Sequence, residues 1–458
     1  MYKCISKILL LLFAIGVMSC SSIMTNTEFY KPIVGDLKND EFAGASQQVL
    51  NAELTGEYSE KDRVLLHLDK GMLFHYQGEY QRSNEEFEKA ELAIEDLYTK
   101  SISKGVASIL LNDNALAYSG EVYEDLYLNV FKALNYLHLN QFDNAYVEIK
   151  RVNDKLKLLD TRYEQYVSSL NSSKDSKIKI DPKDLDYYNN VLSHYISHII
   201  FREEGEEDNS RISLEKLEDA WSTYPDVYNY DRPSFLSDPL KTAAKGTFIN
   251  FMAFTGQAPY KNAVGARVTT FDDFVTISDP GGYWLDAIPF PGIKYGWNFK
   301  FSFPELAEEG TEVYDIEVYI DSVYSGNLEL LENMANVARK TFETNKSIIF
   351  LKTVTRAVLK GVGASALGRE IKKGKNEFLG DILVALTNAA VDATENADLR
   401  CWRTMPSYCF ASEIPLRPGT YNIELRYVDR DNNIIKSHFF DGFRVTKGIN
   451  VIESFHLN

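Results

Sequence analysis

The stretch GMLFHYQGEYQRSNEEFEKA, residues 71–90, repeats small and aromatic residues at helical intervals on both sides of a GEY turn. The residues with this spacing are Gly71, Phe74, Gly78, Tyr80, Ser83, Phe87 and Ala90. Small residues allow two helices to approach each other, and aromatic rings fill the space left between them. The stretch therefore predicts two antiparallel helices joined by a turn, with these positions in their interface.

The same order returns in FKALNYLHLNQFDNAYVEIKRV, residues 131–152, where Asn140 replaces the turn glycine and accepts a left-handed backbone. Its positions are Ala133, Tyr136, Asn140, Phe142, Ala145, Ile149 and Val152. Two weaker copies are marked by Phe42, Ala45 and Val49 and, before Pro225, by Ser213, Leu217 and Ala220. This order is that of a tetratricopeptide repeat, so we expect a repeat array with Gly78 and Ala145 at close helix contacts.

The N-terminus has a basic start, an uninterrupted apolar run at residues 8–18 and then the small residue Ser19 before Cys20. This arrangement is typical of a secretory signal, and the run is too short to span a bilayer. VMSC, residues 17–20, resembles the bacterial lipobox, in which the cysteine is diacylated and becomes the mature N-terminus. We expect acyl chains on Cys20 to anchor the protein to a lipid bilayer.

Composition and motifs exclude several kinds of chemistry. The formal net charge of −17 argues against nucleic acid, because a phosphate backbone requires a basic surface. His194 and His198 share a helix face but lack the glutamate of a zinc protease, so we interpret them as structural. No P-loop, dinucleotide-binding loop or nucleophile elbow occurs. We expect no catalysis, no metal and no small-molecule cofactor.

Two cysteines remain once Cys4 is removed with the signal and Cys20 is acylated. Cys401 and Cys409, in CWRTMPSYC, could form a disulfide in an oxidising compartment. Two unpaired apolar thiols are the alternative, and the spacing does not decide between them.

Strand patterns replace helical periodicity after residue 245. DIEVYID places Ile316, Val318 and Ile320 on one face, and several other segments alternate in the same way, which predicts an antiparallel sheet or sandwich. DRDNN, residues 429–433, has the spacing of a calcium loop but lacks its glycine and final glutamate, so we expect a hairpin turn.

The predicted fold class is α+β, with a tetratricopeptide-like helical array followed by an antiparallel β-rich domain that contains a helical hairpin insertion. The expected boundaries are a signal peptide at 1–19, a tether at 20–27, the helical domain at 28–230, a linker at 231–245, and a β-sandwich-like domain at 246–458 with the insertion at about 327–396. The insertion could instead contact a membrane or self-associate.

Six segments, at residues 61–91, 98–101, 111–137, 146–156, 246–261 and 397–421, together resemble a family of bacterial tetratricopeptide-like envelope lipoproteins of unknown biochemical function. GTFINFMAFTGQAPYK looks like its central strand and Gly-x-Ala-Pro-x-Lys signature. ADLRCWRTMPSYC looks like its Ala-Asp-x-Arg-x-Trp-x-x-Leu-Pro segment, with Met405 in place of the usual Leu. The resemblance implies this architecture in the cell envelope, facing the periplasm, with the outer membrane favoured over the inner.

We expect a protein–protein interaction scaffold that binds one or more envelope proteins or peptides. The candidate binding residues lie in the segment NDNALAYSGEVYED and are Asn112, Asp113, Tyr118, Glu121 and Glu124. The alternative for this segment is the capped N-terminus of a helix. Two other functions remain open, an envelope hydrolase acting on glycan or peptide and a self-assembling envelope component.

Overall fold

The structure is a computed structural model that describes residues 27–104, 116–171, 189–237, 246–279, 284–289, 294–296, 298–343 and 397–458. Over these residues the chain is mixed α+β: α-helices lie between residues 27 and 223, strands begin at residue 248, and short helical segments also lie at residues 234–237 and 334–343. Cys20, Asn112 and Asp113 lie outside the described residues, as do residues 344–396 of the expected insertion.

The described residues of the N-terminal half form four consecutive helical hairpins. Their helices are α1 Thr27–Lys38 and α2 Phe42–Thr55, α3 Arg63–Tyr76 and α4 Tyr80–Lys104, α5 Val122–His138 and α6 Phe142–Asn171, and α7 Val191–Glu204 and α8 Glu207–Thr223. The helix pairs expected at residues 71–90 and 131–152 are confirmed. Helix α4 runs on to Lys104, well beyond the last residue of the first pattern, Ala90.

The four hairpin turns share one backbone geometry. Each contains a left-handed residue, namely Asp40 (φ 60°), Gly78 (φ 73°), Asn140 (φ 56°) and Gly205 (φ 77°). One residue later, a backbone N–H bonds back to the first helix, in the pairs Glu41–Asp36, Glu79–Phe74, Gln141–Tyr136 and Glu206–Phe201. These are the six-to-one bonds of a Schellman motif. The prediction that Asn140 takes the place of a turn glycine is therefore confirmed.

The close helix contact lies at Gly71, and the expectation of such a contact at Gly78 is wrong. A Cβ atom on Gly71 would lie 2.5 Å from Cδ1 of Phe87 in the next helix, whereas a Cβ on Gly78 would meet nothing within 4 Å. Gly78 is instead required by its positive φ. Ala145 is fully buried in the core, as expected.

The strands form a seven-stranded and a four-stranded sheet. They are β1 Phe248–Gln257, β2 Tyr260–Phe271, β3 Phe274–Ser278, β4 Trp284–Pro289, β5 Asn298–Ala307, β6 Asp315–Ile320, β7 Val323–Asn333, β8 Pro406–Pro415, β9 Gly419–Val428, β10 Ile434–Val445 and β11 Ile449–His456. The strand orders are β10-β9-β6-β7-β8-β1-β11 and β4-β3-β2-β5. Strand β1 pairs parallel with β11, so the large sheet is not purely antiparallel as predicted.

Strand β1 is buried on both faces because the large sheet curls until it is nearly closed. Ile249 and Phe251 belong to a core inside the curled sheet. Met252 and Phe254 belong to the core that the sheet shares with the helices. A strand between two cores needs apolar residues at successive positions, which explains why FINFMAF is apolar except at Asn250.

Other expectations in the second half have mixed outcomes. Asp429 Oδ1 accepts hydrogen bonds from the amides of Asp431 and Asn433, each at 2.8 Å, so DRDNN forms the predicted hairpin turn. Residues 327–333 belong to β7 and helical residues begin at 334, so the insertion starts later than predicted.

Phe235, in the expected linker, is buried in the shared core. No helix among the described residues is long and apolar enough to cross a membrane.

Candidate functional site: a buried polar cluster between helices and sheet

Four of the segments that carry the sequence resemblance meet between the helices and the sheet. We call their meeting point the central polar cluster, which consists of Asp62, Asp69, Tyr118, Glu121, Glu124, Lys261, Asp398, Arg400, Trp402 and Thr404. Apart from the partly exposed Glu121 and Asp398, these residues are buried. Buried charged groups are costly unless they are paired, so these residues must form hydrogen bonds and ion pairs with one another.

Glu124 joins the start of α5 to the segment that precedes β8. Its carboxylate accepts hydrogen bonds from Tyr118 Oη at 2.7 Å, from the amide of Glu121 at 2.9 Å and from the amide of Trp402 at 2.7 Å. Glu121 and Glu124 form a reciprocal capping box, which is the helix N-terminus that we kept as an alternative. Burial, with a smaller effect of the Glu121 charge, raises the pKa of Glu124 to about 7.

Asp69 is a second buried carboxylate that links the helices to the same segment. Its Oδ2 accepts from Tyr30 Oη and Tyr58 Oη, each at 2.7 Å, and its Oδ1 accepts from Thr404 Oγ1 at 2.9 Å. The indole of Trp402 in turn donates to Thr404 Oγ1 at 2.9 Å. Burial outweighs these bonds and raises the pKa of Asp69 to about 6.

Arg400 connects the same segment to the first half of the chain. Its guanidinium makes a two-pronged contact with Asp398, at 2.9 and 2.8 Å. It also donates to Asp62 Oδ1 and to the carbonyl of Leu116, each at 3.1 Å. Burial raises the pKa of Asp398, but the charge of Arg400 outweighs it and holds that pKa below its usual value. The segment is therefore fixed by charge-assisted bonds to residues far away in sequence.

Lys261 is a buried cation at the edge of the cluster. Its Nζ pairs with Glu121 Oε1 and lies 5.6 Å from the ring centroid of Tyr118. Burial lowers the pKa of Lys261, but the charges of Glu121 and Asp398 outweigh it, so the net pKa is above its usual value. Lys261 therefore stays protonated and balances the carboxylates around it.

Cys401 and Cys409 are both buried and both free thiols in the structure. The unpaired alternative is thus the one that the structure contains, and the disulfide is not formed. Burial raises the pKa of Cys401 to about 11 and also raises that of Cys409 well above its usual value. Because the thiolate is the reactive form, a buried protonated thiol is a poor nucleophile.

The structure describes three of the five predicted binding residues, and two of these three are buried. The side chains of Tyr118 and Glu124 are buried, and Glu121 contacts Lys261. A direct partner-binding role for these residues, together with Asn112 and Asp113, stays a prediction. Sequence reasoning did not identify Asp69. The sequence feature that could have identified it is the position of a carboxylate within the mainly apolar stretch LLHLDKGMLF.

A second polar group, which we call the seam cluster, lies between β10 and β11 where the curled sheet nearly closes. It consists of Asp40, Tyr427, His438, Ser454 and His456. Tyr427 Oη donates to Ser454 Oγ at 2.6 Å, and Ser454 Oγ lies 2.6 Å from His438 Nδ1. His456 Nδ1 donates to Asp40 at 3.1 Å. Burial raises the pKa of Asp40, but hydrogen bonds from His438 and His456 hold it far below its usual value.

The two histidines noted in the sequence, His194 and His198, are buried in α7. Burial lowers the pKa of His194 to about 4 and that of His198 to about 3, and Ser210 Oγ lies 2.8 Å from His198 Nδ1. Both are neutral near pH 7, as expected for structural histidines.

Comparisons with known protein families, with curated proteins and with solved structures find no match for this chain. The functional assignment therefore rests on the residues and geometry of the chain itself.

Proposed function

We propose that this chain is a lipid-anchored scaffold protein of the bacterial cell envelope, without catalysis of its own. In this proposal Cys20 carries the acyl chains, and the protein faces the periplasm from the outer membrane. The four hairpins are a tetratricopeptide-like array that binds one or more envelope proteins or peptides. The chain is then a member of the lipoprotein family that it resembles.

The observation that supports a scaffold is the repetition of one hairpin geometry four times, each with a left-handed turn residue. Arrays of repeated hairpins build extended surfaces, and proteins use such surfaces to bind other proteins. The side chains of the central polar cluster contact one another, which fits a role in holding the array on the sheet. We therefore place partner binding on the outer helices of the array.

The outer helices are identified by exposed apolar side chains on the second helix of each hairpin. These side chains are Leu54 (85% exposed), Leu92 (57%), Val147 (46%), Leu158 (47%) and Ile212 (40%). Photo-crosslinking in cells tests the proposal directly. A photoreactive residue at Leu92 should give adducts with envelope proteins, whereas one at Tyr314, which is 62% exposed at the sheet, should not. Adducts from Tyr314 alone would contradict binding by the array.

Anchoring is tested separately by the Cys20→Ala variant. It should lose acyl labelling and either leave the membrane fraction or remain unprocessed, since the chains on Cys20 provide the attachment. If this variant fractionates with membranes and incorporates acyl label as the unaltered protein does, the chain is not a lipoprotein of this kind.

A second candidate function, hydrolysis of envelope glycan or peptide, is favoured by the seam cluster. A serine hydroxyl beside an imidazole, with an aspartate nearby, is the arrangement that activates a serine nucleophile. Ser454 is only 2% exposed and also accepts a bond from Tyr427, so a substrate could reach it only if the seam opened. Loss of a hydrolytic activity in Ser454→Ala, with unchanged melting, would support this function. Self-assembly through residues 327–396 involves mainly residues outside the described part of the chain.

A further inference from the structure

A chain of hydrogen bonds across α3, α4 and α5 fixes which nitrogen of His75 carries a hydrogen. The carbonyl of Gly71 can only accept, so the hydroxyl of Ser83, 2.7 Å away, donates to it. Ser83 Oγ must then accept from Asn135 Nδ2 at 2.8 Å. This turns Asn135 Oδ1 toward His75 Nδ1, at 2.7 Å. His75 Nδ1 therefore donates, and the neutral imidazole has a bare lone pair on Nε2.

That lone pair faces a carboxylate of the sheet. His75 Nε2 lies 3.4 Å from Glu453 Oε2 in β11, and the two side chains are 0% and 2% exposed. His138 Nε2 lies 2.7 Å from the same oxygen and donates to it. Among the described residues, neither His75 Nε2 nor Glu453 Oε1 has a hydrogen-bond partner. Two acceptors that face each other in a dry interior repel until a cation comes between them.

The available cation is a proton. The described residues include no group of three or more His, Cys, Asp or Glu side chains that could hold a metal ion. A hydrogen on Nε2 would need the 3.4 Å separation to close only slightly to form an N–H···O bond. We infer that His75 and Glu453 form a proton-operated contact between α3 and β11, in which protonation of His75 converts an acceptor–acceptor contact into an ion pair.

The groups around this contact leave His75 as the site of proton uptake. Burial lowers the pKa of His75, while the charge of Glu453 raises it and that of His138 lowers it. Burial raises the pKa of Glu453, but His138 and His75 outweigh it, so the carboxylate stays ionised. Burial and the charge of Glu453 raise the pKa of Tyr80 in α4. Burial raises that of Cys409 in β8. Both of these groups therefore keep their protons.

The sign of the pH effect follows from the lowered pKa of His75. The unfolded chain takes up a proton near pH 6.5, before the folded chain does, so folding stability falls as the pH drops below that value. Glu453 limits this loss because its charge favours the protonated imidazole. Phe455, two residues further along β11, packs on Tyr76 with ring centroids 4.8 Å apart, so the contact acts where helix and strand already meet. Among folded molecules, protonation of His75 should shorten the contact between α3 and β11, although the free energy of unfolding of the whole chain falls.

Nitrogen NMR of the full chain, labelled only at histidine, tests the inference without any substitution. We expect His75 to be the Nδ1–H tautomer at pH 8 and to take its second proton on Nε2 as the pH falls below about 6.5. An Nε2–H tautomer at pH 8 would overturn the inference, because His75 would then already donate to Glu453.

The Glu453→Gln variant tests the charge. Glutamine keeps a carbonyl oxygen in the Oε2 position for His138 but removes the negative charge that faces His75 Nε2, so the pKa of His75 should fall by about one unit or more. The matched control is Glu332→Gln, another fully buried carboxylate of the sheet, which accepts from the amide of Leu192 rather than from a histidine. It should leave the pKa of His75 unchanged. An unchanged pKa in Glu453→Gln would overturn the inference. If that variant does not fold, the tautomer in the unaltered protein decides.

Discussion

At the scale of single residues, Glu124 shows how a buried carboxylate joins distant parts of the chain. Each of its oxygens accepts from a backbone amide, one from Glu121 and the other from Trp402, and Tyr118 Oη donates to both oxygens. Both amides are fixed donors, so the side chain at this position needs two acceptor atoms. Carboxylate is the one side-chain group of this shape that supplies them.

This requirement gives a prediction for Glu124→Gln. Whichever way the glutamine amide is turned, its NH₂ group faces a backbone N–H, so one buried donor loses its acceptor. We expect the free energy of unfolding to fall by ~2–3 kcal/mol, the cost of an unsatisfied buried group that had a charged partner. Denaturant titration at pH 8 measures it. The control is Glu60→Gln, the same change at a side chain that is 86% exposed, which should cost less than ~0.5 kcal/mol. Equal stability of the two variants would contradict this account of Glu124.

At the scale of structural elements, the hairpin turns are set by backbone geometry rather than by packing. Gly78 has φ 73°, and Asn140 has φ 56° at the same place in the next hairpin. A Cβ on Gly78 would meet no atom within 4 Å, so a side chain there fits in space but strains the backbone. Asparagine tolerates this conformation far better than β-branched residues do.

The two turns therefore predict opposite outcomes for two substitutions at one position. Gly78→Asn copies the next hairpin and should change the free energy of unfolding by less than ~1 kcal/mol. Gly78→Val forces a β-branched residue into the left-handed region and should cost ~2 kcal/mol or more. Thermal melting of both variants, followed by circular dichroism, compares them. If valine and asparagine have the same effect, the backbone conformation of this turn is not what requires glycine.

At the scale of the whole molecule, the features that could be predicted from the sequence are those that depend on residues close together along the chain. Helical spacing around Gly71 and the turn at Asn140 follow from local patterns, and the alternation of Ile316, Val318 and Ile320 predicted β6, where all three are buried. The central polar cluster depends on contacts between residues far apart, such as Trp402 and Glu124, which are 278 positions apart. The periodicity of a sequence does not indicate such a pairing. A single sequence also does not indicate whether a charged side chain is solvated at the surface or paired in the interior.

The same long-range packing joins the helices and the strands through a shared core. Trp402 is fully buried, with its ring 5.8 Å from that of Phe87 in α4 and 6.2 Å from that of Phe131 in α5. It belongs to one hydrophobic core that also contains Phe254 of β1. Two halves that share a core should unfold together, since neither can keep its apolar surface buried alone.

Trp402→Ala tests this cooperativity. The cavity left in the core should lower the free energy of unfolding by ~3–5 kcal/mol. Amide hydrogen exchange should then become faster by a similar factor in α3 and in β1, because both depend on the same global opening. Phe439→Ala, at a β10 side chain that is 65% exposed, is the control and should leave exchange in both elements unchanged. Faster exchange in β1 with unchanged exchange in α3 would instead mean that the helices fold as a separate domain and that Trp402 only rests against them.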